Sequence, residues 1–241
     1  TVAKNTNLNL CLNGHIIKQT NCGIVYTVAG TMNLYDEEGT NHKYTNSEGL
    51  YSLDDESGTI TLSGGAITGV NGNVAISVMK GRLNIYSGNI VGNTSGGFGG
   101  IKTLGGKIYI YGGRIIGNVV KGNSGKGGGI NIDSTGYLDM SGGYISDNTA
   151  VLGGGIYSTG TVKISAGTID NNYASSNGGG ICNLSTGKME ISGGTITDNT
   201  AKEKGGGVYY STSSDICTIS GGAITDNKAA LGGGVYVNET G

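Results

Sequence analysis

From Thr59 to Gly241 the chain says nearly the same thing seven times. An apolar-x-apolar-Ser-Gly-Gly-x-Ile-x-x-Asn run is followed by a short loop and then by Gly-Gly-Gly-Ile or Gly-Gly-Gly-Val. The shared isoleucine falls at Ile67, Ile90, Ile115, Ile145, Ile169, Ile196 and Ile224, in steps of 23, 25, 30, 24, 27 and 28 residues. A period near 26 residues that drifts by a few is the mark of stacked units joined by variable loops.

Laid over one another, the units place alternating apolar residues on a first strand. The pairs are Ile60/Leu62, Leu83/Ile85, Ile108/Ile110, Leu138/Met140, Val162/Ile164, Met189/Ile191 and Cys217/Ile219. Residues two apart lie on one face of a strand, so these point inward. A Gly-containing corner follows, then a very short second strand centred on the shared isoleucine. In six units an asparagine closes the turn: Asn93, Asn118, Asn148, Asn172, Asn199 and Asn227. A third strand starts after the Gly run, as in Ile130-Asn131-Ile132. Such a unit cannot bury its apolar face alone, but it can if each unit is one turn of a coil on which the next turn stacks. The expectation is an all-β, single-stranded, right-handed parallel β-helix of roughly nine coils of three short strands, about 40–45 Å long, with an Asn ladder inside. The whole of 1–241 reads as one β-helix domain, with 1–35 as divergent first coils, 36–58 as a polar excursion and 59–241 as the seven repeats. The last repeat stops without a polar cap, so the chain is expected to be a piece of a longer protein.

Composition narrows the function. There are 50 Gly, no Pro and no Trp, and the net charge is -2 with 15 Lys+Arg. Near-neutral charge argues against nucleic acid, which needs a concentrated basic face. No run of 18 apolar residues offers a membrane span. Of the four cysteines, none forms a C-x-x-C pair, so neither zinc nor any other metal is expected. Cys217 occupies an apolar strand position and reads as core, whereas Cys11 and Cys22 are close enough in sequence for a disulfide that the residues alone do not decide.

The phrases Ile191-Ser192-Gly193-Gly194-Thr195-Ile196-Thr197-Asp198-Asn199 and Gly205-Gly206-Gly207-Val208-Tyr209 resemble right-handed parallel β-helix repeats of bacterial and archaeal surface proteins. Those repeats are similar to the pectin-lyase-like superfamily and to polymorphic outer-membrane and adhesin-like proteins. The opening Leu10-Cys11-Leu12-Asn13-Gly14-His15-Ile16-Ile17 resembles the first coil of such domains. The likeness spans nearly all of the chain except about 36–58. It implies an extracellular protein, secreted or on the bacterial surface. It also implies either a polysaccharide lyase or glycoside hydrolase, or a non-catalytic binder of host molecules, because fold does not choose between them.

Catalytic signals are weak, and neither a catalytic residue nor a cofactor is assigned. A glycosidase needs paired carboxylates on neighbouring coils. Asp147, Asp198 and Asp226 recur just before the Asn, where Asn171, Gly92 and Gly117 stand in other units. A position that follows the repeat is better read as a turn residue bonding its own backbone. Asp54-Asp55-Glu56 reads as a solvated acidic loop. Gly117 to Gly122 has P-loop spacing but carries Asn123 where a Lys is required.

Recognition has better candidates. Tyr86 and Tyr111 occupy a column that is Ser in the other five units, and Tyr109 points outward on the same strand as Tyr111. Arg114 and Tyr144 fall just past the corner. Tyr86, Tyr109, Tyr111, Arg114 and Tyr144 are therefore expected to form one patch over three coils, of residue types that dominate binding hot spots. Tyr157, Tyr209 and Tyr236 make a second candidate, and the variable loops at Val119–Lys126 and Lys202-Glu203-Lys204 a third. The reading is a non-catalytic, adhesin-like protein. Its partner would be a host protein, such as an immunoglobulin or mucosal glycoprotein, or a glycan. A polysaccharide-active enzyme and a passive stalk remain as alternatives.

Overall fold

A computed structural model describes residues 1–19, 23–47, 50–53, 60–184, 187–212 and 217–239. These form a parallel β-solenoid with no helix among the described residues. Each coil contributes a first strand, a second strand beyond a Gly corner, and a third strand after the Gly run. The third strands stack in one sheet of eight, from Tyr26–Val28 to Val235–Glu239. The coils therefore number eight, where the repeats suggested nine. First and second strands merge into one sheet because Tyr137–Ser146 and Thr161–Asp170 run through their corner, with a register shift at Met140/Ser141. A further two-residue strand follows five of the six turn asparagines, as at Thr94–Ser95, and these stack among themselves.

The missing coil has a definite cause. Ile60–Ser63 alternates like a first strand but is not one: it pairs antiparallel with Asn41–Ser47, which also pairs antiparallel with Leu50–Leu53. The first strand of the second coil is Thr31–Tyr35, which pairs directly with Arg82–Ile85 of the third. Its second strand, Ala66–Thr68, comes only after this three-stranded insertion. The polar excursion is thus a small sheet inserted at one corner, longer than expected by the strand Ile60–Ser63. Asp36 fastens its start by accepting from Gly14 N at 2.7 Å and Gly65 N at 2.8 Å. Leu62 packs with Ile16, Ala66, Val91 and Ile116 in an apolar cluster apart from the main core.

That main core is the predicted stack. Met32, Leu34, Leu83, Ile85, Ile108, Ile110, Leu138 and Met140 are all fully buried, as are Ile67, Ile90, Ile115 and Ile145 on the second strands. Cys217 packs against it. The possible partner of Cys11, Cys22, lies outside the described residues, as do Asp54, Asp55 and Glu56.

Between the second strands and the two-residue strands runs the asparagine ladder. Asn93 Nδ2 donates to Asn118 Oδ1 at 2.9 Å, Asn118 to Asn148 at 3.0 Å, and Asn148 to Asn172 at 3.0 Å. Asn172 donates to Asn199, and Asn199 to Asn227, each at 2.9 Å. The second amide proton goes to an isoleucine carbonyl one coil back, such as Asn148 to Ile115 O at 2.9 Å. Each Oδ1 also accepts the backbone N–H of the preceding ladder residue, as Asn148 Oδ1 does from Asn118 N at 3.0 Å. An interior rung therefore has all four side-chain positions satisfied in a buried setting. The residue before each rung is left-handed: Gly92, Gly117, Asp147, Asn171, Asp198 and Asp226 have φ between 52° and 66°. Gly, Asn and Asp tolerate that region best, which explains why only those types appear there.

The Gly runs are close-packed in the same way. A Cβ on Gly155 would lie 2.7 Å from Gly180 O of the next coil, so no larger residue fits.

Removing one rung should be costly, because it orphans buried groups on both neighbouring coils. Asn148→Ala leaves Asn118 N and Nδ2 without their acceptor, at roughly 1–3 kcal/mol per orphan, so a loss of about 3 kcal/mol or more is expected. The exposed ion pair Lys163–Glu190, at 2.9 Å, is the contrast: Glu190→Ala should change stability by under about 1 kcal/mol. Denaturant unfolding of both variants checks the difference.

Candidate binding face

The outer side of the first-strand sheet carries the candidate site. Because successive coils repeat in register, like positions form columns. Tyr86 and Tyr111 stack with ring centroids 4.9 Å apart and planes 15° apart. Tyr35, which the sequence alignment did not place, lies below Tyr86 at 4.7 Å and 1°. The column is therefore three rings long. Its spacing is that of paired strands, so the coil itself sets the stack. It ends at Tyr111, because Ser141 takes the next place. Tyr86 and Tyr111 remain 39% and 43% exposed.

Tyr109 joins this group from the neighbouring column, 6.5 Å from Tyr111. It also meets Tyr137 at 5.7 Å with planes tilted by 47°. The Arg82 guanidinium sits over the Tyr109 ring at 3.8 Å, a cation–π contact. Tyr137 donates to Asp139 Oδ2 at 3.1 Å. Partial burial, helped by the Asp139 carboxylate and this bond, pushes the Tyr137 phenol up to about 12. Partial desolvation and the flanking phenols of Tyr35 and Tyr111 also hold the Tyr86 phenol above its ordinary value. Hydroxyls that stay protonated remain hydrogen-bond donors over the physiological range.

Ring contacts join three of the five predicted residues. Tyr86, Tyr109 and Tyr111 come together and recruit Tyr35, Tyr137 and Arg82. Arg114 and Tyr144 make a separate pair past the corner, with the guanidinium 5.6 Å from the ring and Tyr144 48% exposed. Among the described residues no ring contact links that pair to the column.

The second candidate is mostly closed. Tyr157 and Tyr209 are only 6% and 7% exposed, and they pack around buried Cys182 with Leu152 and Leu184 against them. Loop residues fold back over this face. Lys126 lies 5.0 Å from the Tyr157 ring, and Lys204 lies 4.9 Å from the Tyr236 ring, which stacks on Tyr209. Bridges between Lys126 and Leu152, and between Lys204 and Leu231, tie the loops to one another. The variable loops, the third candidate, thus act in part as a cover for the second.

The recurrent carboxylates behave as turn residues, each in the left-handed conformation described above. One off-pattern acid stands among them. Asp170 is half-buried, and its Oδ1 has no hydrogen-bond partner. Desolvation first, and then the Asp147 and Asp198 carboxylates, raise its pKa, against a bond from Ser146. Among the described residues no group of three His, Cys, Asp or Glu is placed to hold a metal ion. No protein-family model, no curated protein and no solved structure matches the chain.

Asp170 gives a signed prediction. Its folded pKa lies above the unfolded one, so the folded state is penalised fully at neutral pH. The penalty is relieved as pH falls through the raised value toward the ordinary carboxylate range. Asp170→Asn should therefore raise Tm at pH 7, and the gain should shrink to nothing near pH 3 in thermal melts across that range.

Proposed function

We propose that this chain is a non-catalytic, adhesin-like surface protein that captures a host protein, such as an immunoglobulin or a mucosal glycoprotein, on the outer face of its first-strand sheet. The observation that carries the reading is the exposed tyrosine column Tyr35-Tyr86-Tyr111 with Tyr109 and Tyr137 beside it. Four properties suit a protein ligand. The face is broad rather than a closed pocket. Its rings are held by the coil spacing before any ligand arrives, so little ordering entropy is lost on binding. Tyrosine brings a large apolar area and a polar tip together. The column also breaks a repeat in which serine is the rule, whereas Asp147, Asp198 and Asp226 follow the repeat. An extracellular location, on the bacterial surface or secreted, belongs to the same proposal.

The polysaccharide-active alternative draws its support from the resemblance of the repeat phrases. The left-handed φ of Asp147, Asp198 and Asp226 counts against it, since it accounts for those acids as turn residues. A passive stalk explains the uniform later coils but gives no reason for the tyrosines.

Biolayer interferometry with immobilised immunoglobulin and mucin is the test. The chain should bind one of them, and Tyr86→Ser/Tyr109→Ser/Tyr111→Ser together should weaken it by on the order of 30-fold, the loss expected for a hot spot. Far-UV circular dichroism should show the solenoid intact. Failure to bind either ligand, with turnover of a polysaccharide panel by the unmodified chain, would sink the proposal in favour of an enzyme.

A further inference from the structure

A second feature lies around the edge of the same sheet, at the corner where third strands hand over to first strands. A groove of about 490 Å³ runs there across the first four coils. Lys4, Lys80, Arg82 and Lys107 line it, and Gly30 and Gly81 form part of its floor. That floor is bare backbone by necessity. A Cβ on Gly30 would stand 2.2 Å from Ala3 O, and one on Gly81 2.5 Å from Gly30 O. No carboxylate lines the groove, and among the described residues none of the four cations is in an ion pair. In a chain of net charge -2, four unpaired cations around one trough are a local concentration and not a reflection of composition.

Lys80 supplies an independent observation. Its φ is +57°, in the left-handed region that a long side chain occupies at a backbone cost. The same place in the next coil is Gly105, with φ +72°, so the fold accepts glycine there without strain. A lysine held in a strained conformation where the next coil uses glycine points to a use for its ammonium group. Arg82 is fixed as well: Nε donates to Asn84 Oδ1 at 2.9 Å, and the guanidinium rests on Tyr109.

We propose that this groove binds an acidic carbohydrate chain through its carboxylate or sulfate groups. The order of side chains along the axis carries the choice of carbohydrate. Arg82, Lys107 and Tyr137 occupy one register position in three successive coils. They are spaced by about 4.8 Å per coil, close to the length of one pyranose in an extended chain. Two cations are thus followed by an aromatic ring, each one step of a sugar unit from the last. Ammonium and guanidinium groups answer oxyanions, and the Tyr137 ring, next after Lys107 in the register column, offers apolar surface to a sugar face just beyond the groove. The groove meets the tyrosine face at Arg82, Tyr109 and Tyr137, but Lys4, Lys80 and Lys107 lie outside that face and the ligand is different, so its failure leaves the protein-capture reading standing.

Fluorescence anisotropy of the whole chain with labelled heparin, hyaluronate and dextran oligosaccharides tests it. At least one anionic glycan should bind, more weakly as salt rises, while uncharged dextran should not. Binding of heparin alone identifies sulfate as the recognised group; binding of hyaluronate as well identifies carboxylate. Lys4→Gln/Lys80→Gly/Arg82→Gln/Lys107→Gln together should weaken binding tenfold or more. Lys80→Gly alone installs the residue used by the next coil, so it should fold normally and still bind less tightly. Lys18→Gln/Lys228→Gln, which removes two cations away from the groove, should bind as the unmodified chain does. Three results would overturn the proposal: no binding of either anionic glycan, equal loss in the distant double variant, or retention in the quadruple variant. A duplex DNA probe bound as tightly as the glycans and lost with the same substitutions would overturn its carbohydrate part.

Discussion

The structure depends on the buried asparagine ladder. Apolar burial alone would hold the coils together, but it is non-directional and would tolerate a coil slipped by two residues, which keeps the same faces inward. An asparagine with all four positions satisfied tolerates no slip, because each rung needs the rung above and the rung below at hydrogen-bond distance. The cost of an orphaned amide in a dry interior turns the ladder into a registration device. Asn93 to Asn227 lock six coils in this way, and Val70 N extends the lock one coil further by donating to Asn93 Oδ1 at 3.2 Å. Everything outside the core inherits that registration. The stacked tyrosines are flat on one another because their coils are held one strand spacing apart by groups on the inside.

With register fixed at one corner, the chain is free to wander at the others. Loop closure costs grow slowly with length. That is why steps of 23 to 30 residues between isoleucines coexist with constant strand pairing. The insertion between Tyr35 and Ala66 is the extreme case. It leaves the coil at one corner, forms its own antiparallel strands, and returns with Asp36 bonded to Gly14, Gly65 and, through backbone N, to Ser87 Oγ at 2.7 Å. A single residue, through its carboxylate and its backbone N, thus keeps three coils in place around a segment that does not follow the repeat.

These two facts decide what was legible in the sequence. The inward columns, the ladder and the left-handed turn residues could be read because each is imposed by neighbours one period away, and periodicity survives in the letters. The insertion could not, because Ile60-Thr61-Leu62 carries the same alternation whether it pairs parallel or antiparallel. Taking it as a first strand put Ser63 in the tyrosine column and hid Tyr35, which stands there instead. Tyr137 was legible in principle, since it shares a register position with Arg82 and Lys107, but it sits at the strand end and belongs to no repeat phrase. The burial of Tyr157 and Tyr209 had no sequence signal at all. It comes from packing around Cys182 with Leu152, Leu184 and Tyr236, and from loop residues such as Lys126 that fold back over the rings.

The departures from the repeat are also not spread evenly along the rod. Tyr35, Lys80, Arg82, Tyr86, Lys107, Tyr109, Tyr111 and the inserted sheet all belong to the first half of the solenoid. The later coils return serine to the tyrosine column at Ser141, Ser165, Ser192 and Ser220. Stability asks for the same thing from every coil, so a structural role alone would leave the outer columns uniform. A cluster of aromatic and basic side chains confined to neighbouring coils, one of them held at a strained φ, requires a cause that acts on that segment and not on the others. Recognition of something outside the chain is such a cause. In the proposed reading, the uniform coils beyond it are the rigid support on which that face is carried.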